Sequence, residues 1–317
     1  MNNSQIKDTY QKKHHMFLFS NVVFSGSTYL GMIYIPFLLN IDEMADLSIL
    51  YNAMLILMYL IELGITVSFL RFYQIKKHVL IINSIIQLLL IAFLIILGST
   101  YLGGELFGWL NIANLDTSKE LFFLSIICQL SWIFAKNILL TLKHYEYILL
   151  FSLSILIVRI IGIYLLDAEN INIKNILITF FIIPFIPAAL FTIINNLKNI
   201  ISIRIQYLSM RIINIFLRQS MQFLKFSLFA YIIGLLYILS NRYIILYLSE
   251  SGQNEMIADL GYAMSFMGII TVFSLSFRTY YISIFKFSDI NSINKYLDNY
   301  LKKIKVFAFF GILISFG

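Results

Sequence analysis

The chain has 317 residues, of which 60% are hydrophobic and only 12% are charged, and its mean hydropathy is +0.86. A water-soluble domain cannot enclose so much apolar surface, so a soluble fold is excluded and the surplus must face lipid. The net charge of +7 comes from cations that lie between apolar segments, which indicates membrane topology rather than nucleic-acid binding.

A membrane-spanning helix needs about 20 apolar residues, and eight segments meet that requirement. The first follows a short basic N-terminus and is too long for the core of a secretory signal, so we expect it to be retained. A ninth begins near Val306 and is incomplete at Gly317, so we expect the chain to be part of a longer protein. The eight predicted spans are 16–39, 47–70, 79–102, 119–142, 145–166, 176–197, 223–249 and 257–284.

The connections between these spans alternate in charge. Acidic residues dominate at 40–46, 103–118, 167–175 and 250–255. Cations are concentrated in the N-terminal segment, at 71–78, at Lys143, at 198–225 and at 286–305. Because short cytoplasmic loops retain Lys and Arg, the pattern predicts that the N-terminus and every even-numbered loop are cytoplasmic.

The connection at 199–222 has a regular spacing of cations. Arg204, Arg211, Arg218 and Lys225 follow one another at intervals of seven, which places them in one stripe on a helix. Such a stripe is typical of an interfacial helix that contacts anionic headgroups or incoming phosphates. A passive amphipathic connector between two lobes is the alternative interpretation.

A short repeat relates the second span to the eighth. Ala45-Asp46-Leu47 lies at the start of one and Ala258-Asp259-Leu260 at the start of the other, six helices later. Because the two spans are six apart, an even number, the two halves have the same orientation. We therefore predict an N-terminal six-helix lobe at 1–198, a cytoplasmic basic linker at 199–222, and the start of a second lobe at 223–317.

Five charged residues lie well inside the predicted spans, where a charge costs about 2.5–3.5 kcal/mol, and Asp259 lies near the outer end of the eighth span. Lys136 and Arg278 lie near cytoplasmic helix ends and can extend to the headgroups. Arg159 and Arg242 lie deeper, so they either line a cavity or have a snorkelling or paired structural role. Glu62 is too short to reach far and should be paired, protonated or in contact with water.

Several features together resemble a known family. The first span is rich in small and polar residues, the second ends in the segment from Glu62 to Phe72, and a long basic linker separates the sixth and seventh spans. In this pattern the chain resembles, over its whole length, the oligosaccharide flippases of polysaccharide and O-antigen biosynthesis. These belong to the superfamily of multidrug/oligosaccharidyl-lipid/polysaccharide exporters. The small and polar residues of the first span that contribute to this pattern are Asn21, Ser25, Gly26, Ser27, Thr28 and Gly31.

The resemblance implies an all-α bundle of about nine helices here, as part of a two-lobe fold of six plus six helices in the bacterial cytoplasmic (inner) membrane. It implies no enzyme activity and no cofactor. Its expected partners are a polyprenyl-pyrophosphate-linked glycan, membrane lipids and the polysaccharide assembly machinery, with no nucleic acid. The expected activity is transfer of the undecaprenyl-pyrophosphate-linked oligosaccharide across the membrane by alternating access.

The in-span cations fit such a substrate, because arginine binds phosphate oxygens through two parallel hydrogen bonds. We therefore name Arg159, Arg242, Lys136, Arg278, Glu62 and Asn21 as candidate substrate-binding residues, and Arg204, Arg211 and Arg218 as candidate lipid or phosphate contacts. Polar side chains in the spans would meet sugar hydroxyls or form ordinary interhelical hydrogen bonds. They are Asn21, Ser25, Thr28, Gln87, Gln129 and Asn137.

Three other functions stay open. Multidrug exporters of the same superfamily commonly use an acidic residue in the first helix, and 16–39 has none. A membrane-embedded polymerase would carry a large outer loop, and an acyltransferase would need a histidine within a span, whereas His14, His15, His78 and His144 all lie at cytoplasmic ends. The sequence contains no metal-ligand or nucleotide-phosphate motif. An inert chain, or one that serves only as an assembly partner, is the third alternative.

Overall fold

A computed structural model describes residues 16–28, 31, 34–62, 64–73, 79–110, 112, 119–166, 171–201 and 210–264, and all of their regular structure is helical. The first helix, α1, covers 16–28 and is followed by a 3₁₀ turn at Ile35–Leu38. The next helices are α2 (Ile41–Glu62), α3 (Ile65–Tyr73), α4 (Val79–Ser99), α5 (Tyr101–Trp109), α6 (Lys119–Thr141) and α7 (Tyr145–Leu165). They are followed by α8 (Ile173–Ile201), α9 (Met210–Glu250) and α10 (254–264).

Five of these helices, α2, α4, α6, α7 and α8, are long and apolar enough to cross a membrane. They differ in how much of their surface the protein covers. Of the most apolar window, 72% is buried in α2 and 78% in α6, compared with 28% in α7. Helices α2 and α6 are therefore central, and α7 exposes a face of large apolar side chains that suits lipid. The expectation of an all-helical, multi-pass membrane chain is confirmed at this level.

The second predicted span, 47–70, has different bounds in the structure. Helix α2 begins at Ile41 because Asn40 and Glu43 cap it reciprocally: the Glu43 N–H donates to Asn40 Oδ1 at 2.8 Å and the Asn40 N–H donates to Glu43 Oε2 at 3.1 Å. The helix ends at Glu62, and Gly64 has a φ of 66°, a left-handed conformation that glycine adopts without strain. The predicted span is thus two helices, α2 and α3.

Helix α8 starts earlier than the predicted span 176–197 and is irregular in its middle. The Asn175 N–H donates to Asn172 Oδ1 at 2.8 Å, which caps the helix at Ile173. A π-helical turn at Leu177–Ile182 and a 3₁₀ turn at Ile183–Phe185 then interrupt the α-helix, which resumes at Ile186. Such π turns are rare and frequently mark functional sites.

The predicted linker, 199–222, is largely helical. Helix α8 extends to Ile201, and α9 includes residues 210–222 together with the whole predicted span 223–249. Its 41 residues correspond to about 61 Å, more than the 40–45 Å thickness of a bilayer with its headgroups. The part of the basic segment from Met210 onward is therefore continuous with the helix that follows it.

Helix α9 packs along α2 and α3. The rings of Tyr59 and Tyr231 stack with centroids 6.4 Å apart, and a Cβ on Gly234 would overlap the Tyr59 hydroxyl group. Nearer the other end, Ile245 and Leu246 of α9 join the main apolar core formed by α2, α4, α6 and α8. The close contact requires a residue without a side chain at position 234, as is usual where membrane helices approach each other.

The two copies of the sequence repeat are adjacent in space. Ala45 and Ala258 are both buried in the main core, and a Cβ on Gly261 would overlap the Ser48 hydroxyl group. The Asn254 side chain also donates to Asp42 Oδ1 at 2.8 Å. Helices α2 and α10 therefore meet at equivalent positions of the repeat. The division into two lobes stays a prediction, since residues after 264 lie outside the described part.

Candidate functional site

Arg159, on α7, is enclosed by protein and is only 2% exposed. Its Nη1 donates to Ser27 Oγ at 2.9 Å and to Thr28 Oγ1, and its Nε donates to the carbonyl oxygen of Phe180 at 3.2 Å. The two hydroxyl groups donate in turn to the Phe24 carbonyl, so their lone pairs are free for the guanidinium. Arg159 thereby joins α7 to α1 and to the π turn of α8.

Three phenylalanine rings surround the same guanidinium. Its carbon lies 4.3 Å from the centroid of Phe180, 5.0 Å from Phe185 and 5.6 Å from Phe24. A cation over an aromatic face gains about 0.5–2 kcal/mol when it is shielded from water. The aromatic rings and the hydrogen bonds together offset the free-energy cost of burying this charge, a role that a carboxylate often fills.

Arg242, on α9, is only partly buried. Its Nη1 donates to Asn52 Oδ1 at 3.2 Å and to Met264 Sδ at 3.5 Å. The Asn52 amide nitrogen donates to the Ser48 carbonyl at 2.7 Å, which fixes the amide so that its oxygen points to the arginine. Helix α2 thus holds Arg242 through a single oriented amide.

Tyr51 connects the two arginines. Its side chain lies within electrostatic reach of both Arg242 and Arg159, and its ring packs on Phe181 of α8 at 5.7 Å between centroids. Tyr51 and Asn52 are neighbours on α2. Arg242 therefore contacts the turn of α2 that carries Tyr51 and Asn52, whereas Arg159 is linked to that turn through the packed rings of Phe180 and Phe181.

This group of residues, which we call the α2 arginine site, consists of Arg159, Arg242, Tyr51, Asn52 and the hydroxyl groups of Ser27 and Thr28. Among the described residues, no carboxylate forms an ion pair with either arginine. The partners are hydroxyl, amide, thioether and carbonyl groups together with aromatic rings. As far as it is described, the site therefore holds two cations without a paired carboxylate, an arrangement that is chemically suited to an anion that also offers polar groups.

The other predicted cation of the first six spans, Lys136, lies elsewhere. It projects from α6 with its ammonium nitrogen 5.9 Å from the centroid of the Phe17 ring of α1. Glu62 ends α2, and its carboxylate accepts a hydrogen bond from the Thr66 N–H of α3 across the break at Gly64. Asn21 is 2% exposed, and its amide nitrogen has no described partner. None of these three has a described contact with the α2 arginine site.

The remaining predicted contacts fall mostly beyond what the structure describes. Arg204 and Arg278 lie outside the described residues, and Arg211 is described only in its backbone, in the first turns of α9. Arg218 is exposed on α9. Of the proposed cationic stripe, the exposure of Arg218 and Lys225 is established.

Several polar side chains of the spans make hydrogen bonds inside the bundle. The Asn196 amide donates to Gln87 Oε1 at 2.9 Å, which joins α8 to α4. Gln129 and Asn137 donate to carbonyl groups of their own helix, one turn earlier. For Gln87, Gln129 and Asn137 the structure agrees with interhelical or local hydrogen bonding, the more common use of polar groups in membrane helices. Thr28 instead belongs to the α2 arginine site.

Sequence reasoning did not assign Tyr51, Asn52 or Phe180 to a site. The signal for Asn52 was present, because an amide in the interior of a span must find a partner. The signal for Phe180 is indirect and lies in Pro184, four residues later. Nothing in the local sequence pairs Tyr51 with two arginines that lie 108 and 191 positions away.

No protein-family model matches this chain, and no curated protein or solved structure is significantly similar to it. Within the described ranges, no group of three or more His, Cys, Asp or Glu residues could hold a metal ion. The function must therefore be argued from the α2 arginine site and from the sequence.

Proposed function

We propose that this chain is a flippase that transfers polyprenyl-pyrophosphate-linked oligosaccharides across the bacterial inner membrane. Its N-terminus would be cytoplasmic, and its helices would form part of a two-lobe bundle of six plus six. The observation that supports this proposal is the α2 arginine site, where Arg159 and Arg242 both act electrostatically on Tyr51 within the bundle and neither has a described acidic partner. Such charges are costly in a membrane and usually mark a substrate or ion pathway.

Arg242 is the residue of this site best placed to contact the pyrophosphate. It is partly exposed, and within the described part of the chain Nη1 is the nitrogen that has acceptors. Nε and Nη2 would offer the phosphate oxygens the parallel donors that a guanidinium provides. Asn52 orients the arginine, and Tyr51 adds a hydroxyl group next to it.

The charge of the site also bears on the competing transport function. A cationic drug would approach two arginines and would be repelled by both. A pyrophosphate is attracted by the same charges, and the attraction is strong where water is partly excluded. The positive site therefore favours an anionic lipid-linked substrate over a cationic one.

The long basic helix fits this proposal as well. Arg218 and Lys225 are exposed on α9, one helical turn apart from the exposed apolar residues Met221 and Leu228. In the proposed topology this part of α9 lies at the cytoplasmic headgroups. Exposed cations beside apolar side chains suit anionic lipid surfaces there. They would raise the local concentration of a pyrophosphate-bearing lipid.

Deletion of the gene from its own host tests the proposal. We expect surface polysaccharide to be lost, lipid-linked oligosaccharide to accumulate, and both to return to normal when the gene is supplied from a plasmid. The empty plasmid is the control. Unchanged surface polysaccharide in the deletion strain, in a host without a second flippase gene, would contradict the proposal.

A further inference from the structure

We propose that Arg159 is a positioning residue: it replaces the backbone donor that Pro184 removes from α8, and through α8 it holds α2 at the arginine site. This assigns to Arg159 a role different from that of Arg242. The assignment uses the described contacts of α1, α7 and α8 alone, and only its transport readout rests on the proposed flippase function.

One carbonyl group in the interior of α8 lacks its usual backbone donor. Pro184 has no N–H, so it cannot donate to the carbonyl four residues earlier, which belongs to Phe180. A buried carbonyl without a donor costs about 1–3 kcal/mol. The helix changes to a π turn and a 3₁₀ turn at this point, and Arg159 Nε donates to the Phe180 carbonyl at 3.2 Å.

The rest of the Arg159 guanidinium is held by α1 and by aromatic rings. Nη1 is held by the hydroxyl groups of Ser27 and Thr28 on α1, and Phe180, Phe185 and Phe24 lie around the carbon atom. With 2% of its surface exposed, Arg159 offers a substrate almost no area to contact. Arg159 therefore links three helices, α7, α1 and α8, through its guanidinium group.

Contacts between aromatic rings connect these three helices to the α2 arginine site. The Phe180 ring that lies over the guanidinium contacts Phe181 at 5.1 Å, and Phe181 packs on Tyr51 at 5.7 Å between ring centroids. Tyr51 precedes Asn52, whose amide oxygen accepts from Arg242. A change in the course of α8 at Phe180 would therefore move the residues that orient Arg242.

A double-mutant cycle tests the inference. The full-length protein is purified in detergent as the unmodified chain, Arg159→Met, Pro184→Ala and the double variant, and the midpoint of thermal unfolding is measured for each. Pro184→Ala restores an N–H, which reaches the Phe180 carbonyl when α8 returns to a regular α-helical register at this point. In that background, Arg159→Met should therefore lower the midpoint by less than about half of its effect in the unmodified chain, because residues that share a partner are coupled. Equal shifts in the two backgrounds would overturn the inference.

Pro187 provides a matched control. It lies in the same helix and is exposed. The carbonyl four residues before it belongs to Ile183, which accepts from the Ile186 N–H and has no described contact with Arg159. Pro187→Ala should leave the effect of Arg159→Met unchanged. If Pro187→Ala reduced that effect as much as Pro184→Ala does, the coupling would reflect general stiffening of α8, and the specific link between Arg159 and Phe180 would be refuted.

A second variant covers the case in which Arg159→Met does not accumulate. Arg159→Lys keeps the charge but places all of its donors on a single nitrogen, which cannot reach α1 and α8 together. We expect Arg159→Lys to lower the midpoint in the unmodified chain and to be better tolerated with Pro184→Ala. Equal loss in both backgrounds would again contradict the inference.

A transport measurement distinguishes a positioning residue from a residue that binds the substrate. Surface polysaccharide lost in Arg159→Lys should return in part when Pro184→Ala is added, whereas loss caused by Arg242→Lys should not. Rescue of neither or of both variants would contradict the distinction between the two arginines. If the gene proved to have no part in polysaccharide export, the unfolding cycle would still decide the structural claim.

Discussion

At the scale of single residues, the local environments of the two arginines indicate different uses. Arg159 has acceptors for two of its nitrogen atoms and aromatic rings around its carbon, whereas Arg242 is partly exposed and held through one amide. A group that must bind and release a substrate cannot be fully enclosed in its resting contacts. We therefore expect substitutions of Arg242 to affect transport more than folding.

Substitution of Arg242 should reduce export in a graded order. Arg242→Lys keeps the charge but loses the paired donors, Arg242→Ala loses both, and Arg242→Glu repels the pyrophosphate, so surface polysaccharide should fall from the first to the last. Each lost charged hydrogen bond corresponds to about 1.5–3 kcal/mol, or a 10- to 100-fold weaker interaction. Surface polysaccharide is measured together with the protein level in the membrane.

Lys174→Gln is the matched control for this series, because it removes one cation from an exposed position at the start of α8. It should leave export unchanged. Normal surface polysaccharide from Arg242→Ala at a normal protein level would leave Arg242 without a role in substrate binding.

The candidate site was predictable in part at this scale. Composition and the cost of in-span charge were enough to select Arg159 and Arg242, and the structure links Arg242 to α2 directly and Arg159 to α2 through Phe180 and Phe181. Their separate surroundings could not be foreseen, because Ser27, Thr28 and Phe180 come from helices that are distant in sequence. Lys136 shows the same limit, since its Phe17 neighbour depends on how α1 lies on α6.

At the scale of helices, five of the predicted spans coincide in position with the long apolar helices α2, α4, α6, α7 and α8 but differ from them at the ends. A hydropathy window reads apolar content, whereas the ends of α2 and α8 are set by capping at Asn40, Glu43 and Asn172. The segment before the second span was read as an acidic loop, although Asn40 and Glu43 have the spacing of a capping box. Gly64 likewise divides one apolar run into α2 and α3.

Gly234 determines how closely α9 approaches α2, and its replacement tests that packing. A Cβ at this position would overlap the Tyr59 hydroxyl group, so Gly234→Ala should destabilise the protein by about 1–3 kcal/mol, the usual cost of overpacking. Thermal unfolding in detergent measures the change.

Gly104→Ala is the matched control for Gly234→Ala, because a Cβ on Gly104, in α5, would meet no atom within 4 Å. Alanine is favoured over glycine in a helix by about 1 kcal/mol, so Gly104→Ala should be neutral or slightly stabilising. A Gly234→Ala protein as stable as Gly104→Ala would contradict the close packing of α9 on α2.

At the scale of the whole molecule, two features connect the second half of the described chain to the first. Helix α9 packs along α2 and α3, and α10 meets α2 at Ser48 and Gly261, which are equivalent positions of the repeat. The sequence revealed the repeat but not the contact between its two copies, because a match of three residues carries no information on how far apart the copies lie in space. The repeat contact is consistent with two halves that share one orientation in the membrane.

The orientation of the chain is tested with reporter fusions. Because cations mark one set of loops and acidic residues the other, fusions at Gln74, Lys143, Gln206 and Asn294 should report the cytoplasm. Fusions at Glu43, Asn114, Asn170 and Gln253 should report the outer side. A cytoplasmic signal at Asn114 would break the alternation and, with it, the proposed direction of transport.

Leaflet-resolved detection of the substrate tests the central claim most directly. Spheroplasts are prepared from the gene-deleted host and from the same host expressing the intact gene or its Arg242→Glu variant. A membrane-impermeant glycosidase or lectin then measures the lipid-linked oligosaccharide exposed at the outer leaflet. The flippase account predicts exposure with the intact gene, and substrate retained on the cytoplasmic side in the other two strains. Equal exposure in all three strains, at equal total lipid-linked oligosaccharide, would contradict it.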